Sequence, residues 1–214
     1  MSKRLVVTVL GAALLVVRAV AWLLEQRRSP SACPYSQRIF LDVPRPFMRR
    51  EALCDILKPS PGERLLEVGP GTGYYSGHVA RELAPGGSLT VLDLQPAMLD
   101  ELMRRADADG IANISPVRGD AQALPFPDAT FDAAFLVATL GEVPDKPRAL
   151  RELRRVVRPG GRVVMGEGQP DPHHVRSGDP RTLAEAAGFR PAERSGGRLG
   201  YFARFVNEGD GVIG

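Results

Sequence analysis

The chain has 214 residues, 43% hydrophobic and 25% charged. That composition excludes a disordered tail, a collagen and a low-complexity scaffold, and the length fits one domain with some extra chain. A net charge of +3 gives no ground for a nucleic-acid binder, and two cysteines, Cys33 and Cys54, make neither a disulfide framework nor a four-ligand zinc site. The charge is unevenly spread, however: residues 1–58 carry ten Lys/Arg and four Asp/Glu, residues 59–214 eighteen and twenty-one.

The basic end also holds the longest apolar run. Leu5 to Leu24 contains one charge, Arg18, and one hydroxyl, Thr8. As a helix, twenty residues rise about 30 Å, the thickness of a bilayer's hydrocarbon core. Trp22 stands near one end, where an amphipathic ring suits the interface, and Arg18 is close enough to that end to snorkel. We therefore expect a transmembrane anchor helix over residues 1–28. A cleaved signal peptide, suggested by Ala19-Val20-Ala21, and a buried packing helix are the competing readings. Lys3 and Arg4 on one side and Arg27 and Arg28 on the other leave orientation open.

Residues 29–58 read as a linker and lid helix. The stretch 29–46 holds four prolines, which rules out a long helix. Arg49 to Lys58 then places Ala52, Leu53, Ile56 and Leu57 on one helical face.

From residue 59 to 214 strands and helices alternate. Strands are expected at Arg64–Val68, Ser88–Asp93, Asn113–Arg118, Phe131–Ala138 and Arg162–Gly166, with helices at Tyr75–Leu83, Pro96–Asp107, Lys146–Val157 and Pro180–Ala187. Arg158-Pro159-Gly160-Gly161 reads as the turn that stops the third of these helices. Phe189–Arg194 and Arg198–Val206 form a terminal strand pair around Gly196-Gly197. Apolar strands alternating with helices predict an α/β, Rossmann-like, doubly wound and mostly parallel sheet with helices on both faces.

The chemistry concentrates where the first strand meets the first helix after it. Glu67-Val68-Gly69-Pro70-Gly71-Thr72-Gly73 lies at a strand's carboxyl end, where open α/β sheets bind ligands, and its glycines let a ligand approach the backbone. Asp93 ends the second strand, 26 residues after Glu67, and Asp120 follows the third strand, 27 residues later. A strand-end acid at Asp93 suits two ribose hydroxyls. The loop is not a dinucleotide fingerprint, since the sixth position counted from Gly69 is Tyr74, and no Gly-Lys-Ser/Thr follows for a P-loop. Glu67 also reads as a carboxylate in the field of a helix N-terminus, and Asp120 as a cap.

LLEVGPGTG (65–73), VLD (91–93), GDAQALPFPDATFDAAF (119–135) and LRRVVRPGGRVV (153–164) together closely resemble the class I S-adenosylmethionine-dependent methyltransferases. The resemblance covers residues 59–207. Within that family the chain is similar to small actinobacterial proteins and to membrane-anchored members that methylate ubiquinone/menaquinone precursors or thiols. It implies a seven-stranded sheet with an antiparallel last strand, a methyltransferase domain over 59–214, and S-adenosylmethionine as cofactor. Mapped onto this sequence, Glu67, Gly69, Gly71 and Gly73 would line the methionine half. Asp93 would hold the ribose with Leu94 against the adenine, Asp120 and Ala121 would meet the adenine edge, and Val137 would border the transferred methyl.

The sulfonium methyl is already electrophilic, so alignment matters most, and a base is needed only for a protonated acceptor. Candidate bases are Glu142, after the fourth strand, and His173, with His174, after the fifth. Tyr35 sits in a segment able to fold over the pocket. The family's Asn/Asp-Pro-Pro-Tyr signature is absent, for the chain reads Val137-Ala138-Thr139-Leu140. That argues against nucleic-acid and protein amide acceptors. No metal-ligand spacing occurs. The expectation is a membrane-anchored methyltransferase, its catalytic domain in the cytoplasm, acting on a small or lipophilic acceptor; an NAD-dependent oxidoreductase and a non-catalytic S-adenosylmethionine-binding module are the alternatives. The sequence leaves the oligomeric state open.

Overall fold

Short apolar runs flanked by turn residues become the central strands. β1 (Arg64–Val68) and β2 (Ser88–Asp93) start and stop at the expected residues, and β3 (Ile114–Arg118), β4 (Phe131–Val137), β5 (Val157–Gly168), β6 (Phe189–Gly196) and β7 (Gly200–Asn207) follow. The computed structural model describes residues 32–40, 42, 45–168 and 179–209. The expected anchor helix at 1–28, and His173 with His174, lie outside the described residues. Among the described residues no helix is long and apolar enough to cross a membrane.

The seven strands lie in the order β3-β2-β1-β4-β5-β7-β6. Neighbours pair in parallel through β5, and β7 is antiparallel to both β5 and β6. The strand order reverses between β1 and β4, which opens a crevice at their carboxyl ends.

Alternate residues of each strand serve opposite faces. Leu65, Val91, Ala133, Phe135 and Val164 pack under helices α1 (Arg50–Leu57), α2 (Ser76–Glu82) and α3 (Pro96–Ala108). Leu66, Ala134, Leu136, Val163 and Met165 pack under α4 (Lys146–Val156), with Ala184 of α5 (Asp179–Ala186) in the same core. The doubly wound sheet is thus mixed, as the terminal strand pair foretold. Cys54 packs against the first of these cores, and burial pushes its thiol up to about 12, which leaves it unreactive at neutral pH.

One expectation is corrected. Arg158-Pro159-Gly160-Gly161 is not a turn between helix and strand but an irregular stretch inside β5. Phe131 pairs with Val157 and Ala133 with Arg162, so two steps along β4 match five along β5. Gly160 takes φ +77°, and a Cβ on Gly161 would stand 2.6 Å from the Asp132 carbonyl oxygen. The glycines that signal a turn here absorb a bulge instead.

A 3₁₀ turn spans Tyr35–Phe40. Beyond it the Tyr75 hydroxyl donates to the Met48 carbonyl at 2.8 Å, and α1 closes at Lys58, which adopts φ 53°. Arg162 fastens the end of α1 to β5, donating to the Lys58 carbonyl at 2.8 Å while paired with Glu63 at 2.6 Å.

Candidate active site

The crevice at the strand ends is lined by the β1–α2 loop (Glu67 to Gly71), the end of β2 (Leu92 to Gln95), Gly119 to Gln122 after β3, Val137 to Thr139 after β4, and Glu142. Of the residues expected to bind a cofactor, Glu67, Gly69, Gly71, Asp93, Leu94, Asp120, Ala121 and Val137 all border this one cleft. Gly73 sits one turn behind it: its N–H donates to the Pro70 carbonyl at 3.0 Å, and a Cβ there would lie 2.8 Å from Leu102 Cγ. Its role is to let the loop pack on α3.

The glycine loop has a backbone that side chains rarely permit. Gly69 and Gly71 adopt φ +67° and +56°. A Cβ on Gly69 would lie 2.4 Å from Thr139 Cγ2, and the Thr139 hydroxyl donates to the Gly69 carbonyl at 3.3 Å. The loops after β1 and β4 therefore touch where the sheet order reverses. Next to Thr139, Ala138 itself holds φ +55°, a strained conformation for a residue with a Cβ.

Two carboxylates are buried in the cleft. Glu67 is 3% exposed and accepts from the Ser76 hydroxyl at 2.5 Å. Burial pushes its carboxyl up to about 8, with the Ser76 hydrogen bond pulling the other way and the charge of Asp93 adding to the rise. Asp93 is 8% exposed; burial raises its carboxyl as well, against backbone N–H groups of Gln95, Gly71 and Leu94. Neither acid has a basic partner among these influences, so the cleft offers acceptors suited to a cation and to hydroxyl donors. Asp120 is differently placed. Its carboxylate accepts from the Gln122 backbone N–H at 2.8 Å and from the Gln122 side-chain amide, while its carbonyl accepts from the Ala123 N–H at 3.0 Å. It shapes a tight turn and faces the cleft at once. Leu94, half exposed, presents an open apolar face.

Several residues here carried no motif. Gln95 spans two points of the proline-rich segment: its amide donates to the Cys33 carbonyl at 2.8 Å and its oxygen accepts from the Tyr35 N–H at 3.1 Å. Glu142 Oε2 accepts from the Cys33 N–H at 3.3 Å. Residues 32–33 thus form a strap across the mouth of the cleft. Tyr35 lies beside the mouth, its ring under the Arg38 guanidinium at 4.4 Å. Arg45 and Tyr74 close another side, with Arg45 and Arg50 lying over the Tyr74 ring at 5.5 and 4.2 Å. Among the described residues no cluster of His, Cys, Asp and Glu is arranged to hold a metal ion.

Residues 66–165 match the family model described as a methyltransferase domain. Over 119 residues the chain is 43% identical to the ubiquinone/menaquinone biosynthesis C-methyltransferase UbiE of Ruegeria sp. (strain TM1040), covering 55% of this chain and 47% of that one. The chain spans about half the length of the curated relatives it matches. A solved S-adenosylmethionine-dependent methyltransferase from Aquifex aeolicus has the same fold, with a TM-score of 0.75 at 22% identity over 81% of this chain and 98% of its own. The cyclase SpnF also superposes, with a TM-score of 0.62 at 25% identity over 68% of this chain and 57% of its own.

A strand-end cleft with a glycine loop and two buried acids is where open α/β sheets bind nucleoside cofactors. Residues 66–165 match the methyltransferase domain model, and the chain resembles the class I S-adenosylmethionine-dependent methyltransferases. S-adenosylmethionine is the cofactor of that family, and the cleft suits it. Buried Glu67 and Asp93 offer acceptors to an ammonium and to ribose hydroxyls, and the glycines leave room for a ligand against the backbone.

Proposed function

We propose that this chain transfers a methyl group to a small, lipophilic acceptor at a membrane. The observation that carries the reading is the composition of one cleft: buried carboxylates on its β1–β2 side, and Met98, Val137, Val143 and Pro144 as apolar lining, beneath the strap at 32–33. The likeness to a quinone-pathway C-methyltransferase supports a lipophilic acceptor. When bound, the cofactor supplies the electrophilic methyl. Glu67 would hold its ammonium, Asp93 its ribose with Leu94 against the base, and Asp120 and Ala121 the adenine edge. Val137 would flank the acceptor, the strap would exclude water, and Glu142 would take the proton that an acidic carbon or thiol acceptor must lose. His173 is a second proposed base.

The proposed organisation is an anchor helix at 1–28, a linker and lid helix at 29–58, and a methyltransferase domain at 59–214 facing the cytoplasm, where the cofactor is supplied. Covalent reach supports this order: Ala32 of the strap is eight residue steps from Leu24. At about 3.5 Å each they hold the cleft mouth within about 28 Å of the apolar run. The test is a calorimetric titration with S-adenosylmethionine, S-adenosylhomocysteine and NAD, followed by an acceptor screen of quinols, thiols and lipid amines. Micromolar binding of the first two and turnover of a quinol or thiol supports the reading; binding of NAD alone overturns it.

The likeness to SpnF favours a second reading, in which the same cleft binds its ligand without transferring a methyl, because one fold hosts unrelated chemistries. Cofactor binding with no methylated product from any acceptor class would select it.

A further inference from the structure

Phe47 and Leu199 are the most exposed large apolar side chains of the described residues besides Leu94, at 59% and 51%. They come from distant parts of the chain but meet at one place. A Cβ on Gly200 would stand 3.2 Å from the Phe47 carbonyl oxygen and 2.6 Å from Met48 Cγ, and one on Gly168 would stand 3.4 Å from the Leu199 carbonyl oxygen. Gly168 and Gly200 pair at the carboxyl end of β5, the same end of the sheet that opens the cleft, and Arg45, two residues before Phe47, lines that cleft.

The surroundings are cationic. Residues 45–51 and 194–200 hold five arginines, Arg45, Arg49, Arg50, Arg194 and Arg198, and one acid, Glu51. Arg198, next to Leu199, and Arg49, two residues after Phe47, are exposed. We infer that this face, Phe47 and Leu199 within a rim of arginines, docks the domain on an anionic lipid surface, the two apolar side chains entering the headgroup layer and the guanidinium groups meeting lipid phosphates. A second copy of the chain fits less well, because a two-fold contact through this patch sets arginine against arginine. Nucleic acid would match the charge but leave Phe47 and Leu199 unexplained. Docking here points the open end of the cleft at the bilayer, so a lipophilic acceptor reaches it without crossing water. The inference deepens the proposed membrane location and rests on it.

The chain has one tryptophan, Trp22, so the test uses the full-length W22F/L199W protein. It is mixed with vesicles of phosphatidylcholine alone or with about a third phosphatidylglycerol, each with and without brominated lipid. Coflotation reads membrane attachment; bromine quenching of the L199W indole reads docking of this face. The expected result is loss of at least about half of the indole emission in anionic brominated vesicles, little in neutral ones, and recovery of emission on adding R49E and R198E while coflotation persists. Coflotation without quenching overturns the docking inference alone, and failure to float overturns the membrane reading itself. Quenching equal in both vesicle types, an indole shielded without vesicles in a sedimenting dimer, or emission altered only by nucleic acid each overturns the assignment to anionic lipid.

Discussion

Asp42, in the proline-rich segment, accepts a hydrogen bond from the hydroxyl of Thr72, in the glycine loop, at 2.9 Å, and is clasped on its other side by Arg105 of α3 at 2.7 and 2.8 Å. The segment that covers the cleft is therefore tied to the loop that forms its floor. Arg105 beside it holds the Asp42 carboxyl below the usual carboxylate range, so this tie is present at neutral pH and is lost as pH falls through that lowered value. Asp42→Ala is expected to weaken S-adenosylhomocysteine binding by about 1–2 kcal/mol, and Thr72→Val by less, in calorimetric titration of folded variants. Equal affinities in all three proteins would show that strap and loop are independent.

Asp93 is buried at the end of β2 and accepts from the Gln95 N–H at 2.9 Å. Asp93→Ala should cost about 1–3 kcal/mol of cofactor affinity through lost hydrogen bonds to a charged acceptor. Unchanged affinity in a folded variant would remove Asp93 from the ribose role.

Glu67 makes a signed prediction. Its carboxyl, normally near 4.5, is pushed up to about 8 by burial. Between those values the folded chain holds a proton that the unfolded chain has released, so this residue's contribution makes stability fall as pH rises across that window. Glu67→Gln should flatten the fall in thermal unfolding measured from acid to mildly alkaline pH. Binding a ligand whose ammonium approaches Glu67 should expel that proton, making the binding enthalpy at neutral pH depend on the buffer's ionisation enthalpy. The Gln variant should lose that dependence.

Gly69→Ala combines a clash with Thr139 and a positive φ of +67°. The expected outcome is loss of cofactor binding and about 1–3 kcal/mol of stability. Adding Thr139→Ala should restore part of the stability, because it removes the crowding and leaves the backbone strain. No recovery would mean that conformation, not contact, sets the cost.

Glu142→Gln should lower the rate of methyl transfer to an acidic carbon or thiol acceptor while leaving S-adenosylhomocysteine affinity nearly unchanged. A matching loss in affinity would make Glu142 a latch for Cys33 rather than a base.

The legible parts of the sequence were those with local signals. β1 and β2 begin and end as expected because apolar runs there abut Pro61-Gly62, Gly86-Gly87 and the glycine loop. Glu67 and Asp93 were found because one stands next to last in β1 and the other ends β2. The Gly160-Gly161 bulge was misread because glycines permit a turn and a bulge alike, and only pairing with β4 distinguishes them. Gln95, Arg45 and Asp42 were not anticipated. Gln95 meets Cys33 and Tyr35, and Asp42 meets Arg105, across 60 to 63 residues, and Arg45 meets the Tyr74 ring across 29. No period or motif encodes such meetings.

The position of β7 between β5 and β6 has a consequence for how the molecule is made. β6 leaves the ribosome first, yet among the described residues its one neighbour in the sheet is β7. The Asn207 amide at the end of β7 also donates to the carbonyls of Arg154 and Val157, closing the far end of α4. Synthesis must therefore run through β7 before this edge of the sheet can form, and a ribosome stalled before residue 200 carries a β5 whose β7 side is unpaired.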